Sequence, residues 1–177
     1  MKTVFSGIQP TGKVHLGNFL GAINSWVEMS NSKNKNYFCV VDLHSLTTHP
    51  DPKKMEENIL STVKVLIAAG INLNNSTIYV QSQVSEHSQL SWVLSNFCQI
   101  GELQRMTQFK EKSSELGNHA GILTYPVLMT SDILIHKANE VPVGDDQTQH
   151  LELTRNIAER FNNKYGVVFP IPEKTSG

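Results

Sequence analysis

Strand and helix patterns alternate along the first part of this sequence. Short apolar runs at residues 3–5, 37–41 and 77–81 suit strands, and the patterns between them, at about 15–29 and 52–70, suit amphipathic helices. A run of consecutive apolar residues such as 37–41 is typical of a strand buried on both faces of a parallel sheet. The alternation therefore predicts an α/β fold built on a doubly wound parallel sheet.

The alternation stops in the middle of the chain. Residues 85–137 carry helical patterns, with a polar stretch at 111–119 between them. Residues 140–143 predict a fourth strand, although Pro142 removes one hydrogen-bond donor from it. Gly144 then opens a long helix, and residues 167–169 predict a fifth strand. We therefore expect a helical insertion between the third and fourth strands.

Composition restricts the partners. A length of 177 residues suits one large domain. A net charge of −1 gives no general basic field, so any RNA contact must be local or lie in a part not present here.

Cys39 and Cys98 stand in apolar surroundings, which favours free thiols over a disulfide or a metal pair. No signal peptide or membrane-spanning run is visible, so cytoplasmic is the default expectation. Five histidines lack ligand-like spacing, and we expect no bound transition metal: His49, His87, His119, His136 and His150.

Residues 5–18 form a glycine-rich turn between the first strand and the first helix. Such a turn leaves unpaired backbone N–H groups at the positive end of a helix, which suits a phosphate chain, although most such turns bind nothing. Residues 144–147 form a second junction of this kind. Ligands of open α/β sheets sit beyond the carboxyl ends of the strands. Two junctions facing one crevice would hold two parts of one nucleotide.

Four segments are specific enough to indicate a family. Residues 10–18, Pro-Thr-Gly-Lys-Val-His-Leu-Gly-Asn, resemble the HIGH-type motif of class I aminoacyl-tRNA synthetases. Residues 100–112, 123–134 and 144–161 are similar, in order and spacing, to tryptophanyl-tRNA synthetases of bacterial type. The resemblance covers essentially the whole chain. It implies a Rossmann-like, HUP-type nucleotide-binding domain.

The sequence departs from this family in one respect. The family's second catalytic loop, the KMSKS motif, and its anticodon-binding domain are not found in residues 1–177. We therefore interpret the chain as the N-terminal part of a catalytic domain, with the helical insertion at about 85–137. By itself this part is expected to be inactive or weakly active.

The resemblance implies a reaction in two steps. The carboxylate of L-tryptophan attacks the α-phosphate of ATP to give tryptophanyl-adenylate and pyrophosphate, and the adenylate then acylates the 3′ end of tRNA(Trp). The first step needs no protein nucleophile, because the substrate supplies its own. It needs in-line placement and compensation of phosphate charge, partly from Mg²⁺ held by the ATP phosphates and not by the protein.

The ATP site would come from both junctions. The resemblance assigns it Gln9, Pro10, Thr11, Gly17, Asn18, Gly144, Asp145 and Asp146, with catalytic roles for Thr11, His15 and Asn18. The residues alone, without the resemblance, also allow other roles for these positions. His15 and Asn18 could be ordinary solvated residues, and Gly17 could serve close helix packing. Asp145 and Asp146 could simply complement a helix dipole, while Asp146 could also accept from ribose hydroxyls.

Amino-acid choice should depend on Asp132, a carboxylate in an otherwise apolar helical segment. A buried unpaired charge is costly, so it should have a donor, and the indole N–H of tryptophan is one. The alternative is a nearby backbone N–H or a turn cap. The resemblance adds four residues as walls for the indole: Phe5, Met129, Val141 and Val143. It also assigns Gly7 to the tryptophan site, Tyr125 and Gln147 to the ammonium group, and His44 as a weaker pocket candidate. From the residues alone, the walls could equally be generic core, and His44 a satisfied loop histidine.

An amphipathic face at residues 101–112 presents Leu103, Met106 and Phe109. The resemblance implies a homodimer contact here, and a core-facing stripe within one chain is the alternative.

Two other functions also fit the first motif. One is a module that binds tryptophan or ATP without turnover. The other is a nucleotidyltransferase of the HxGH type, which would not be expected to carry Asp132 or the 144–161 segment.

Overall fold

Five parallel strands form the centre of the molecule. The structure is a computed structural model that describes residues 1–10 and 23–175. The strands are β1 (Thr3–Ile8), β2 (Lys35–Val40), β3 (Ser76–Val80), β4 (Glu140–Pro142) and β5 (Glu173–Thr175). Their order in the sheet is β3-β2-β1-β4-β5, and each neighbouring pair is parallel. The predicted doubly wound parallel sheet is confirmed.

Eight α-helices within the described residues surround or extend this sheet. They are α1 (Asn24–Ser30), α2 (Asp42–Ser45), α3 (Pro52–Ala68), α4 (Glu86–Ser95), α5 (Ile100–Arg105), α6 (Thr107–Leu116), α7 (Ala120–Ile135) and α8 (Thr148–Tyr165). Helices α4 to α7 lie between β3 and β4 in the chain and form the predicted helical insertion. Short 3-10 turns follow β3 and precede α8, at Gln81–Gln83 and Asp145–Gln147.

The strand order changes direction at β1, which defines where a ligand can bind. From β1 the chain proceeds to β2 and β3 on one side, whereas β4 and β5 lie on the other. The crossovers that leave β1 and β4 therefore diverge and open a crevice beyond the carboxyl ends of these two strands. Gly7 and Gln9 lie at the end of β1, and Val143 and Gly144 follow β4.

The continuous apolar run in β2 is explained by its position inside the sheet. Successive side chains of a strand point to opposite faces. Phe38 and Val40 belong to a core cluster with Trp26 and Leu66 on one face, while Cys39 belongs to the cluster on the other face. The Trp26 ring stacks on Phe38 with centroids 4.6 Å apart, and its indole N–H donates to Ser6 Oγ at 3.0 Å.

Helix α3 follows the local signals in the sequence. Asp51 caps it by accepting from the backbone N–H groups of Lys53 and Lys54, and Pro52 occupies its first turn. Gly70, with φ of 94°, lies just past its end. Both predicted boundaries are confirmed within two residues.

One predicted element is wrong. Residues 167–169 are not a strand, because the Asn162 side chain accepts from the backbone N–H groups of Val168 and Phe169 and donates to the Phe169 carbonyl. Those backbone groups are thus satisfied by a side chain, and the fifth strand forms at Glu173–Thr175 instead. The polar stretch at 111–119 is largely helical, since α6 continues to Leu116 and ends at Gly117, where φ is 86°.

The amphipathic stripe at residues 101–112 packs inside this chain. Leu103 and Met106 are buried in the larger core cluster, and Phe109 packs against it. The core-facing alternative is therefore confirmed for this stripe.

Both cysteines are free thiols, with Cys39 buried and Cys98 half-buried. Burial raises the pKa of Cys98 to about 11. Among the described helices, none is long and apolar enough to cross a membrane.

Candidate functional site

A cavity of about 490 Å³ opens in the crevice beyond β1 and β4. Every residue that the resemblance assigns to tryptophan binding lines it: Phe5, Gly7, His44, Tyr125, Met129, Asp132, Val141, Val143 and Gln147. Gln9 and Gly144 from the ATP set also line it. Elements far apart in the sequence thus meet at the position that the sheet topology indicates.

Asp132 lies in α7, lines this cavity and is 1% exposed. Three side chains donate to its carboxylate. His44 Nε2 lies 2.8 Å from Oδ2, while Gln81 Nε2 and His87 Nδ1 each lie 2.7 Å from Oδ1. The sequence predicted that this buried charge needs a donor. The protein meets that need with side chains, and not with a backbone N–H as the alternative supposed.

These hydrogen bonds keep Asp132 ionised. Burial acts to raise the pKa of its carboxyl group, but the hydrogen bonds and charges of His44 and His87 outweigh it and hold the pKa below its ordinary value. An ionised carboxylate accepts hydrogen bonds at about four positions. Oδ1 has two described donors and Oδ2 has one, so Oδ2 has spare acceptor capacity. Because Asp132 lines the cavity, a donor placed there can reach this oxygen.

A second polar group lies around Tyr125, which also lines the cavity. Its hydroxyl donates to Gln108 Oε1 at 2.9 Å and also lies 2.8 Å from His150 Nε2. Gln108 Oε1 can only accept, so His150 Nε2 must carry the proton in the second bond. Burial, aided by the nearby charge of Lys112, lowers the pKa of His150 to about 4. His150 is therefore neutral near pH 7.

Lys112 is a lining residue that the sequence analysis did not assign to the site. Its ammonium nitrogen lies 4.3 Å from the centre of the Tyr125 ring, and burial lowers its pKa. In the sequence, Lys112 lies where the amphipathic segment 101–112 meets the polar stretch 111–119. In the helix α6 it lies one turn after Gln108, and both side chains line the cavity. A helical spacing of polar residues was the signal that could have found this pair.

The apolar walls are well buried and closely packed. Phe5 is 4% exposed and Val141 1% exposed, and both belong to the larger core cluster. Gly7 is required by a close contact, since a Cβ atom there would lie 2.9 Å from Val41 Cγ1. Further lining residues that the sequence did not indicate are Ser6, Ser25, Trp26, Val41 and Pro142.

The predicted ATP residues are brought together only in part. Asp145 is exposed and forms an ion pair with Lys174, and Asp146 accepts a hydrogen bond from Gln147 Nε2 at 2.7 Å. Neither aspartate lines the cavity, and Pro10 is buried outside it. Thr11, His15, Gly17 and Asn18 lie outside the described residues. Their roles stay predictions.

Comparison with known proteins agrees with this geometry. The family model of class I tRNA synthetases (W and Y) matches residues 1–176. A tryptophan–tRNA ligase of Oceanobacillus iheyensis is 51% identical over 174 residues, which cover 98% of this chain and 53% of the relative. One from Helicobacter pylori is also 51% identical, with 97% and 53% covered. This chain thus spans about half the length of these relatives.

Solved structures show the same fold. The tryptophanyl-tRNA synthetase of Campylobacter jejuni in complex with ADP and tryptophan is 36% identical, with a TM-score of 0.94, and the match covers 99% of this chain and 55% of that one. The Mycoplasma pneumoniae enzyme is 39% identical, with a TM-score of 0.92 and coverage of 99% and 53%. A tyrosyl-tRNA synthetase of Archaeoglobus fulgidus, at 16% identity and a TM-score of 0.79, shares the fold.

Proposed function

Since the chain belongs to the class I tRNA synthetases (W and Y), we propose that it is the substrate-binding N-terminal part of a tryptophan–tRNA ligase. One observation carries the choice of tryptophan. An ionised, buried carboxylate with spare acceptor capacity lines a cavity with apolar walls. An indole combines one N–H donor with a large apolar surface, so it matches both features.

In this proposal the indole N–H donates to Asp132 Oδ2. A site built to hydrogen-bond a substrate N–H rejects analogues that lack it, because its own polar group is then left unpaired. Phe5, Val141 and Met129 would pack against the rings. Phenylalanine could contact the same walls, but it would leave Asp132 Oδ2 without the additional donor.

The substrate's ammonium group would lie between Tyr125 and Gln147. The Tyr125 oxygen donates one hydrogen bond and accepts one, which leaves it a second acceptor position. Gln147 uses its amide N–H toward Asp146, and its Oε1 has no hydrogen-bond donor among the described residues. Both oxygens can therefore accept from an ammonium group. The carboxylate of tryptophan would then face the mouth of the cavity.

The nucleotide would bind at the two strand–helix junctions. Gln9 and Gly144 lie at the cavity, and the HIGH-type residues Thr11, His15 and Asn18 would act on the phosphates. Lys112 is the described cation in the cavity wall, and we assign it charge compensation for the phosphates or the attacking carboxylate. Mg²⁺ would arrive with ATP and be held by its phosphates. No covalent intermediate with the protein is required.

The product tryptophanyl-adenylate would acylate tRNA(Trp), and we assign this reaction to the cytoplasm. The proposed tRNA surface and the KMSKS loop would belong to the half of the relatives that this chain does not match. A homodimer through residues 101–112 is a further part of the proposal. It would have to use the exposed residues of this segment, such as Arg105 and Lys110, because Leu103 and Met106 are buried in the core.

The half-length match favours a second candidate for the chain by itself, namely a module that binds tryptophan and ATP without turnover. Tryptophan-dependent exchange of pyrophosphate into ATP, measured beside calorimetric binding of tryptophan, separates the two. Binding with exchange supports the ligase, and binding without exchange supports the module. Exchange with a phosphate-bearing acceptor and no amino acid would indicate an HxGH-type nucleotidyltransferase instead and overturn the proposal.

A further inference from the structure

A buried chain of hydrogen bonds continues from Asp132 away from the cavity. His87 in α4 is 0% exposed, and its Nδ1 lies 2.7 Å from Asp132 Oδ1. Its Nε2 lies 3.2 Å from the Tyr79 hydroxyl, which in turn lies 2.6 Å from His136 Nε2. His87, Tyr79 and His136 are not among the lining residues of the cavity. They cannot contact a ligand there directly.

We propose that His87 is a positioning residue for the choice of amino acid. With Gln81 it occupies Oδ1 of Asp132, which holds the carboxylate in one orientation and leaves Oδ2 as the acceptor for an indole N–H. This inference rests on the proposed function, because it concerns the orientation of the group that would select tryptophan. Tyr79 and His136 support His87 from behind.

The proton between His87 and Asp132 can be assigned from the chemistry of the two groups. Asp132 is ionised and can only accept, so His87 Nδ1 must donate to it. The Tyr79 hydroxyl then joins His87 Nε2, 3.2 Å away, to His136 Nε2, 2.6 Å away. Burial lowers the pKa of His136 to about 4 and raises that of Tyr79, so both are neutral near pH 7. The donor that faces Asp132 is therefore His87 Nδ1, whichever way the bonds of Tyr79 run.

Packing fixes the far end of the chain. The His136 ring stacks on Tyr37 with centroids 4.0 Å apart and on Phe5 with centroids 5.7 Å apart. Ser131 Oγ in α7 donates to the His87 carbonyl at 2.6 Å, which ties α4 to the helix that carries Asp132. The series of hydrogen bonds through His87, Tyr79 and His136 is thus anchored to strands β1, β2 and β3 and to two helices. Side chains supported in this way hold their orientation more firmly than side chains on loops.

Gln81 supplies the second constraint on Oδ1 and is anchored as well. Its side-chain N–H donates to Asp132 Oδ1, while its Oε1 accepts from the backbone N–H of Leu43 at 3.1 Å. His44, the remaining partner of Asp132, lines the cavity and bonds Oδ2. A carboxylate that lost His87 could rotate about its Cβ–Cγ bond. Oδ2 would then no longer be held toward the cavity.

A matched pair of substitutions separates the two hydrogen bonds of His87. In His87→Asn the side-chain amide occupies the place of Nδ1 and can still donate to Asp132. In His87→Gln the amide reaches the place of Nε2, so the bond to Tyr79 can persist while that to Asp132 is lost. The readout is the ratio of the dissociation constants for benzothienylalanine and L-tryptophan, measured by calorimetry. Benzothienylalanine has sulfur in place of the indole N–H.

We expect the unmodified protein to prefer tryptophan by about tenfold or more, as a site built to bond an N–H should. His87→Gln should lower this ratio by about tenfold, through weaker binding of tryptophan and nearly unchanged binding of the analogue. His87→Asn should stay within about threefold of the unmodified ratio. A merely structural role of His87 would weaken both ligands alike and leave the ratio unchanged.

Tyr79→Phe is the second variant, since it removes one hydroxyl at nearly constant volume. It should lower the ratio by about two- to fivefold. The inference is overturned if the unmodified protein prefers tryptophan over benzothienylalanine and the ratio is unchanged in both His87→Gln and Tyr79→Phe. That result would leave the proposed function intact. If His87→Gln does not fold, an unchanged ratio in Tyr79→Phe by itself contradicts the positioning role of His87. Failure of the unmodified protein to bind tryptophan overturns the proposed function itself.

Discussion

The proposed amino-acid site and the proposed nucleotide site hold their polar groups in different ways. On the amino-acid side, Asp132 is almost fully buried and bonded by three side chains that are themselves anchored. On the nucleotide side, Asp145 and Asp146 are exposed and pair with neighbouring surface side chains. A buried network holds a fixed geometry, whereas exposed pairs exchange readily with water. The amino-acid side is therefore preorganised, and the nucleotide side can rearrange when a ligand binds.

Asp132→Ala should produce the largest effect and tests the preorganised side. It removes the acceptor and leaves three buried donors unpaired, so we expect a loss of about 3 kcal/mol in the free energy of unfolding. Tryptophan binding should weaken by about 100-fold or more, while ATP binding changes by about threefold or less. Calorimetry with tryptophan, phenylalanine and ATP, beside urea unfolding, measures these effects. An unchanged preference for tryptophan over phenylalanine would contradict the role of Asp132.

Gly7→Ala tests how closely the wall beside the cavity is packed. The added Cβ would lie 2.9 Å from Val41 Cγ1, and a valine side chain in a strand region has little freedom to move. We expect a loss of about 1–3 kcal/mol in the free energy of unfolding and weaker tryptophan binding. Gly121→Ala is the matched control, because a Cβ there meets nothing within 4 Å and Gly121 lies in α7. The control should be neutral or slightly stabilised, and equal effects of the two would argue against close packing at Gly7.

The pH dependence of stability should report the buried histidines. Folding lowers the pKa of His150 and His136 to about 4, below the ordinary value of 6.5, so the unfolded chain takes up these protons first. Stability should therefore be full above pH 6.5 and should fall progressively between pH 6.5 and 4. Urea unfolding at several pH values measures this slope. His150→Gln should make the slope shallower, whereas the exposed His119→Gln should not; equal slopes in all three proteins would refute the assignment.

Lys174→Met should produce the smallest effect and tests the exposed side. It removes the ion pair with Asp145, whose carboxyl pKa that lysine lowers. Because Asp145 is fully exposed, water and salt screen the pair, and we expect no measurable change in melting temperature. Thermal unfolding at low and high salt checks this. A clear loss of stability would mean that the nucleotide side is held more firmly than its exposure indicates.

Much of the fold was accessible from local patterns. The alternation of strands and helices, the cap at Asp51 and the run in β2 each reflect periodicity or backbone chemistry that a few neighbouring residues decide. The misplaced fifth strand shows what local patterns cannot predict. Val167, Val168 and Phe169 have the composition of a strand, but the Asn162 side chain satisfies their backbone and β5 forms elsewhere. Which partner satisfies a backbone group is decided by neighbours in space.

The candidate site divides along the same line. Residues such as Asp132 and Tyr125 could be named from motifs, because a buried carboxylate or a conspicuous motif residue is visible in the sequence itself. Lys112 and Gln108 were missed, since they enter the cavity only when α6 is helical through that stretch. Of the three partners of Asp132, only His44 was named as a site residue, and its bond to Asp132 was not predicted. His44, Gln81 and His87 come from three separate segments that only the packed sheet and insertion bring within 2.8 Å of one carboxylate.

The sequence by itself thus determined the class of fold and the place of the cavity at the carboxyl ends of the strands, and it predicted Asp132 as the residue that should read an indole. These follow from periodicities and residue chemistry that are local in the chain. Only the tertiary structure decided how that residue is held. The orientation of the Asp132 carboxylate depends on hydrogen bonds between side chains as far apart as His44 and Asp132, 88 positions in the sequence, and no local rule specifies such distances.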